Sequence, residues 1–424
     1  MNIWLVTVGE PLPVDEGPPR LLRAGLLARY LAQSGHAVTW WSSTFDHQRK
    51  RLRAPSLAES SLPDGTALIL LHGRPYRTNV SLARMGNHRD IAREFGALAS
   101  TRVVPDVILC SYPPVEICDE AVAYGAARQI PVVLDVRDLW PDAFLHLAPK
   151  WLWPMARVAL QSLFSQSARA CRGALALFAI TDAFLDWGLA RAGRSRNAWD
   201  ATFPMAYSNE VPDSHSVRAA EAQWDRTGVK RDRPIACFIG TFGKQFDLES
   251  VVEAARVTRT TAPDLLWVLC GAGDRFERYR RLARGLENTV LPGWVERPAI
   301  HSLLRRAKVG IAPYRNTRDF VMSVPNKPIE YLSAGLPVVA TIGGVLREKI
   351  VDPGAGISVP PGNPQALASA VVDLVRDKER HARMSEVARQ LYRTEYVAEV
   401  VYRKMIAHLE EIAKEAARQR AGSS

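Results

Sequence analysis

Short apolar runs alternate with helix-periodic segments along this chain, and the alternation happens twice. In the first half, Ile3–Val8, Ala37–Trp41, Ala67–Leu71, Val107–Cys110, Val132–Val136 and Ala174–Ile180 read as buried strands. Leu21, Leu22, Gly25, Leu26, Ala28, Leu31 and Ala32 recur at helical spacing before Gly35, and Val115–Arg128 is a second helix. In the second half the strands are Ile235–Ile239, Leu265–Leu269, Asn288–Leu291, Val309–Ala312 and Val338–Ala340, with a helix over Leu248–Arg259. Strand–helix alternation with continuous apolar strands predicts parallel sheets covered on both faces. The fold class is therefore α/β, with two doubly wound units of about 200 residues each.

Residues 206–233 are polar, Pro-containing and mixed in charge, and read as a linker. The predicted division is 1–205, linker 206–233, 234–395, and a C-terminal helix over 396–424 that packs back on the first unit. The tail supports helices over Leu367–Arg376, Arg380–Tyr392 and Val397–Ala417. Two such units side by side would place a ligand in a cleft at the carboxyl ends of their sheets.

Composition narrows the partners. The chain has 55 Lys and Arg against 44 Asp and Glu, a formal net charge of +11, which favours anionic partners. Its five cysteines form no C-x-x-C pair and lie in apolar contexts, so reduced core thiols and no metal site are expected. Met1–Gly9 lacks a basic leader and reads as a strand. No apolar run approaches the roughly 18 residues of a spanning helix. No helix-turn-helix, zinc-finger or RNA-platform pattern is present, so nucleic acid is not an expected partner.

Three segments carry chemistry. The first is Val324-Pro325-Asn326-Lys327-Pro328-Ile329-Glu330-Tyr331-Leu332-Ser333-Ala334-Gly335-Leu336-Pro337-Val338-Val339, after the strand Val309–Ala312. A helix is predicted to begin near Asn326 or Lys327, with Asn326 as its cap and Pro328 in its first turn. Free amides at such a start, with Lys327 beside them, make an anion site. Glu330, one turn in, suits two hydroxyls of a ribose. The alternative is a structural helix with a surface Glu. The second segment is Phe238-Ile239-Gly240-Thr241-Phe242-Gly243-Lys244, a glycine turn with a cation. The third is Cys270-Gly271-Ala272-Gly273-Asp274, followed by Pro292-Gly293-Trp294-Val295.

The 324–339 segment resembles the nucleotide-sugar site of the GT-B glycosyltransferases, in particular the large retaining family 4. Glu330-x3-Ala334-Gly335-x-Pro337-Val338-Val339 is similar to that family's signature ending. Ser323-x-Pro325-Asn326-Lys327 before it is similar to the branch that builds bacterial surface polysaccharides. Eight residues before Glu330 the family has a second Glu; here stands Met322. The resemblance implies that Gly240, Thr241 and Lys244 face a donor pyrophosphate. It also implies that Trp294 and Val295 meet the base, and that Ser323, Val324 and Asn326 hold sugar or phosphate through the backbone. In the first half, the loop Asp15-Glu16-Gly17-Pro18-Pro19-Arg20 keeps one residue, Gly17, of a glycine-rich loop near the donor phosphate. Leu134-Asp135-Val136-Arg137-Asp138 is similar to a strand ending in His-Asp, with Arg137 where His is usual. Asp138 is then a general base or charge partner, or the partner of Arg137.

The activity implied is a retaining, metal-independent transfer of a sugar from a UDP-sugar to a glycan or lipid-linked acceptor in cell-surface polysaccharide synthesis. Asp138, Lys327 and Glu330 are the catalytic candidates; no cofactor is expected beyond the UDP-sugar co-substrate. A sugar-nucleotide epimerase of the same fold and a non-catalytic nucleotide-sugar-binding subunit are the alternatives. A basic run, His47–Arg53, the arginines Arg74, Arg77, Arg84 and Arg89, and the segment Lys150–Arg196 with Trp151 and Trp153 suit an anionic membrane surface. The expected location is cytoplasmic, peripheral on the inner face of the plasma membrane.

Overall fold

The computed structural model describes residues 1–17, 19–146 and 148–422. It divides into two compact units, Met1–Pro204 together with the segment from Val401 onward, and Met205–Val400.

The first unit is built on β1 (Asn2–Val6), β2 (Ala37–Ser43), a small hairpin of β3 (Phe45–Asp46) and β4 (Arg51–Leu52), β5 (Ala58–Ser61), β6 (Ala67–Leu71), β7 (Val107–Tyr112), β8 (Val132–Val136), β9 (Ala176–Ala179) and β10 (Ala201–Thr202). The large sheet runs β10-β9-β8-β7-β1-β2-β6-β5. All its neighbours are parallel except β5, an antiparallel edge on β6. Strand order reverses at β1, which pairs with both β2 and β7. Crevices at such reversals are where open α/β sheets bind ligands. The helix Ala398–Gly422 buries Tyr402, Met405, Leu409 and Ile412, and His408 bonds the Trp199 carbonyl at 3.0 Å.

The second unit carries β11 (Ile235–Ile239), β12 (Leu266–Cys270), β13 (Thr289–Gly293), β14 (Val309–Ala312), β15 (Val338–Ala340) and β16 (Gly356–Ser358). They are parallel throughout, in the order β13-β12-β11-β14-β15-β16. The reversal lies between β11 and β14. These two strands pair only at Ala236 with Val309 and Cys237 with Gly310. Beyond that they part, and the Tyr331 hydroxyl enters the gap. It accepts from the Ile239 amide and donates to the Ile311 carbonyl, each at 3.2 Å. A phenol thus supplies the rung that the splayed strands cannot make. Gly310 is the residue that admits it, since a Cβ there would stand 2.3 Å from the Tyr331 ring.

The segment read as a linker is different. Ser214–Arg226 is a helix capped by Asp213, whose carboxylate accepts from the Ser216 amide at 2.8 Å. Its apolar face is narrow: Ala220 and Trp224 are buried, and the Trp224 indole donates to the Ala299 carbonyl at 3.0 Å. Buried Arg306 ties the same helix down through Asp225, the Glu221 carbonyl and the Val229 carbonyl. A helix held by one Trp and a charged anchor shows too few apolar residues to look like part of a core.

Replacing the Tyr331 hydroxyl leaves a buried Ile239 amide without its acceptor. Tyr331→Phe is expected to lower unfolding stability by about 1–3 kcal/mol. Chemical denaturation of the two chains checks this, and an unchanged midpoint would mean the strands are held apart by packing alone.

Candidate functional site

In the second unit, three loops at the carboxyl ends of β11, β12 and β13 nest by backbone contact. The Gly240 amide donates to the Cys270 carbonyl at 2.9 Å, Phe242 to Ala272 at 2.9 Å, and Gly271 to Gly293 at 2.7 Å. Gly271 has a φ of +142°, and a Cβ there would fall 1.7 Å from the Gly240 carbonyl oxygen. This approach is open to glycine alone.

The helix Asn326–Ser333 delivers Lys327 onto that nest. A Cβ on Gly240 would lie 2.0 Å from Lys327 Cε and 2.8 Å from Nζ. The ammonium also lies 4.7 Å from the centre of the Phe246 ring. The Tyr314 hydroxyl, buried and pushed up in pKa chiefly by that burial, accepts from the Lys327 amide. The structure therefore brings together Gly240 and Lys327, which are far apart in sequence. The expectation for Asn326 needs correction. It is exposed, it is the first helical residue, and the capping position is Pro325, which has no side-chain acceptor. The cap residue thus makes no side-chain bond to the helix start, and the Tyr314 hydroxyl takes the Lys327 amide from the side.

Glu330 is not the surface residue of the alternative reading. It is only 2% exposed, and its negative charge adds to burial in raising the Cys237 thiol and the Tyr314 hydroxyl. Ser323 and Val324 are buried just before the helix. Thr241 and Lys244 are exposed on the glycine loop; the Thr241 hydroxyl accepts from Gln245 at 3.0 Å, and the Lys244 carbonyl accepts from Arg315 at 3.1 Å. Trp294 is 67% exposed, with its indole on Glu296 at 3.0 Å, so it is not a core aromatic. Val295 is half-buried against the core. Val321, beside Met322, presses its carbonyl against Gly344, where a Cβ would stand 2.1 Å from the oxygen.

In the first unit the strand reversal is lined by charge. Arg23 grips Asp135 with two bonds of 2.8 and 2.9 Å and donates to the Pro204 carbonyl at 2.8 Å. Arg137 reaches the same Asp135 at 2.6 Å and also pairs with Glu10. Burial pushes the Asp135 carboxyl up, but the two guanidinium groups outweigh it and hold it at about 2. Arg137 is thus a member of an internal network and is not paired with Asp138. Asp138 accepts from the Leu139 amide at 2.7 Å and lies within electrostatic reach of Arg84. Gly17 has a φ of +77° with open space around it; Pro18 of the same loop lies outside the described residues.

The arginines of the basic run His47–Arg53 all have partners in this unit, although Arg49 and Arg51 are exposed. Arg53 pairs with Asp15 at 2.5 Å, Arg51 with Glu16 at 2.7 Å, and Arg49 donates to the Glu16 carbonyl at 2.7 Å. These bonds fasten the Gly17 loop to the hairpin. Arg74 pairs with Asp90 at 2.6 Å. His47 and Lys50 instead turn toward Tyr76, Arg84 and His88, a grouping sequence reasoning missed because its members come from three separate segments. His47 Nδ1 lies 2.5 Å from the Tyr76 hydroxyl.

Residues 220–391 match the family model described as glycosyl transferases group 1. An alpha-D-kanosaminyltransferase from Streptomyces kanamyceticus is 28% identical over 198 residues, covering 45% of this chain and 50% of that protein. A GDP-mannose-dependent alpha-(1-6)-phosphatidylinositol monomannoside mannosyltransferase from Mycolicibacterium smegmatis is 30% identical over 167 residues, covering 37% and 43%. The chain spans about half the length of the curated relatives it matches. Sucrose-phosphate synthase from Thermosynechococcus elongatus superposes over 100% of both chains with a TM-score of 0.70 at 16% identity. The fold is GT-B.

His47 is held at about 4, below the ordinary 6.5, first by burial and then by the charges of Arg84, Lys50 and His88. Between those values the unfolded chain binds the extra proton. The contribution of neutral His47 is therefore whole above about pH 6.5 and is lost as pH falls toward 4. His47→Gln is expected to flatten this part of a plot of unfolding midpoint against pH. An equal slope in both chains would show that other groups, such as His301 and His381, account for it.

Proposed function

Taking as premise that residues 220–391 form a glycosyl transferases group 1 domain, we propose that the chain moves a sugar from a nucleoside diphosphate sugar, with UDP the nucleotide we favour, to a glycan or lipid-linked acceptor. The observation that carries the reading is the meeting of Lys327 with the glycine nest of β11 and β12 at the start of the helix Asn326–Ser333. Breaking the bond between the sugar and the diphosphate puts negative charge on the leaving group. A fixed ammonium and backbone amides aimed at that place stabilise it, with Lys244 on the same loop adding charge from solvent. Glu330 is assigned to the ribose, the 240–244 loop and the 323–327 backbone to the phosphates and sugar, and Trp294 and Val295 to the base.

The names of the relatives specify alpha linkages. Transfer from an alpha-linked sugar nucleotide to an alpha glycoside preserves configuration at the anomeric carbon, which supports a retaining reaction. Asp138 in the first unit is assigned to the acceptor side, as a base or charge partner. No metal is assigned a role, because Lys327 and Lys244 supply the positive charge. A role in surface-polysaccharide synthesis fits a basic chain that handles anionic acceptors. One relative is named for GDP-mannose, so a GDP-sugar is the competing donor.

Titration with UDP, GDP, ADP and CDP, followed by calorimetry, tests the donor. UDP should bind most tightly, and Glu330→Gln should weaken it by about 1–3 kcal/mol. Unchanged affinity in the variant, or preference for GDP, would contradict the assignment. Lys327→Ala should slow sugar transfer far more than it lowers the unfolding midpoint. Donor binding with no turnover on any acceptor would instead favour a binding subunit.

Association with an anionic membrane is a further part of the proposal. No described helix is long and apolar enough to cross a membrane. Trp151, Met155 and Val158 are strongly exposed on the short helices Lys150–Leu152 and Trp153–Ala159, which also carry Lys150 and Arg157. Apolar side chains rimmed by cations suit an anionic bilayer surface. Trp153 does not share this exposure, since its indole donates to the Ala148 carbonyl at 3.1 Å. Vesicle co-sedimentation should rise with anionic lipid and fall in Trp151→Ser/Met155→Ser; equal partition onto neutral and anionic vesicles would contradict it.

A further inference from the structure

Three arginines around the β3–β4 hairpin have a carboxylate partner: Arg51 with Glu16, Arg53 with Asp15, and Arg74 with Asp90. Lys50 and Arg84 differ from these three. Among the described residues, neither has a carboxylate within ion-pair distance. Lys50 donates to the Asn79 side chain at 2.5 Å and lies 4.9 Å from the centre of the Tyr76 ring. Arg84 donates to the Asn79 carbonyl at 2.8 Å, and its guanidinium lies 4.7 Å from the Trp140 ring and 5.9 Å from that of Tyr76. Its Nε is buried with no partner among the described residues.

Both cations are partly withdrawn from water, and burial is the first cause that lowers each of them. Removing cations from water beside one another is unfavourable unless an anion joins them. The nearby carboxylates act only from a distance. Asp46 Oδ1 accepts from the Gln48 and Arg49 amides and lies 4.0 Å from Arg53, Asp138 Oδ1 accepts from the Leu139 amide, and Glu116 faces buried His88 at 3.6 Å. The depressed His47 imidazole reports the same positive field. The location is also telling. His47 and Lys50 follow β2, Tyr76 and Asn79 follow β6, Glu116 follows β7, and Trp140 follows β8, all at the carboxyl edge of the first sheet. That edge is the ligand-binding side of a parallel α/β sheet.

We propose that Lys50 and Arg84 form a built site for a phosphate or diphosphate ester group, and that this group is carried by the acceptor. The assignment to an acceptor rests on the reading above, in which the donor occupies the second unit. The cations hold the anion as charge-assisted donors, with Asn79 fixing both side chains and the Tyr76 and Trp140 rings excluding water around them. Lys50 and Arg84 would thereby select acceptors that bear phosphate over neutral sugars. The phosphate has two possible sources, a lipid diphosphate and a soluble sugar phosphate, with the same chemistry at these side chains.

The test uses the full chain saturated with UDP and titrated with inorganic pyrophosphate by calorimetry. Binding is expected in the wild-type chain, weakened at least about ten-fold in Lys50→Ala and in Arg84→Gln, with UDP affinity held. Lys50→Ala keeps the test sound if Arg84→Gln fails to fold. Unchanged pyrophosphate affinity in the variants would overturn the site. A parallel fall in UDP affinity would overturn the acceptor assignment, because the cations would then serve the donor. Competition of pyrophosphate by a short-chain prenyl diphosphate in micelles, or by a sugar 1-phosphate, supports the assignment and tells the sources apart; competition by neither overturns it. If UDP itself does not bind, the donor reading fails separately, while pyrophosphate binding by the wild-type chain still reports this site.

Discussion

The second unit depends on an ammonium group lying against a bare backbone. Lys327 occupies the space that a side chain at residue 240 would fill. The contact exists because Gly240 and Gly271 let two loops touch through their main chains, and because β11 and β14 separate to admit Tyr331. Any larger residue at 240 displaces the cation, and any larger residue at 310 displaces the helix that carries it. Fold and chemistry are thus set by the same few missing side chains.

The first unit solves a different problem. Its strand reversal encloses Glu10, Arg23, Asp135 and Arg137, and the two arginines share one buried carboxylate. Such a network gains little net stability over apolar packing, but removing one member strands the rest. Its role is to fix position: it joins the loop after β1, the helix Arg23–Gln33 and the end of β8. The Lys50 and Arg84 cations have no such closure, and this contrast between satisfied and unsatisfied charge in one unit marks where a ligand belongs.

Much of this was legible in the residues. Ala67–Leu71, Val132–Val136, Ile235–Ile239, Val309–Ala312 and Val338–Ala340 are strands with the predicted bounds, because strands buried on both faces are mostly apolar runs, with Asp135 the one charged residue among these. The helix at Asn326 was visible through Pro328 and the Gly335-Leu336-Pro337 stop. The role of Asn326 was not, because the helix takes in Asn326 as its first residue and leaves the cap position to Pro325, a one-residue boundary that spacing does not fix. The helix Ser214–Arg226 was hidden by its polarity, since one Trp and one distant Arg hold it. The ion pairs of the basic run were not legible, because the partners Asp15 and Glu16 lie in a loop more than thirty residues away. His47 and Lys50 join Tyr76 and Arg84 only because the segments after β2 and β6 leave neighbouring strands.

The central claim is that a nucleoside diphosphate lies at the start of the helix Asn326–Ser333, against Gly240 and Lys327. A crystal of the full chain grown with UDP addresses it most directly. The claim predicts diphosphate density beside Lys327 Nζ and the 240–244 loop, with the ribose directed at Glu330. Density for the nucleotide on any other surface of the protein would contradict it.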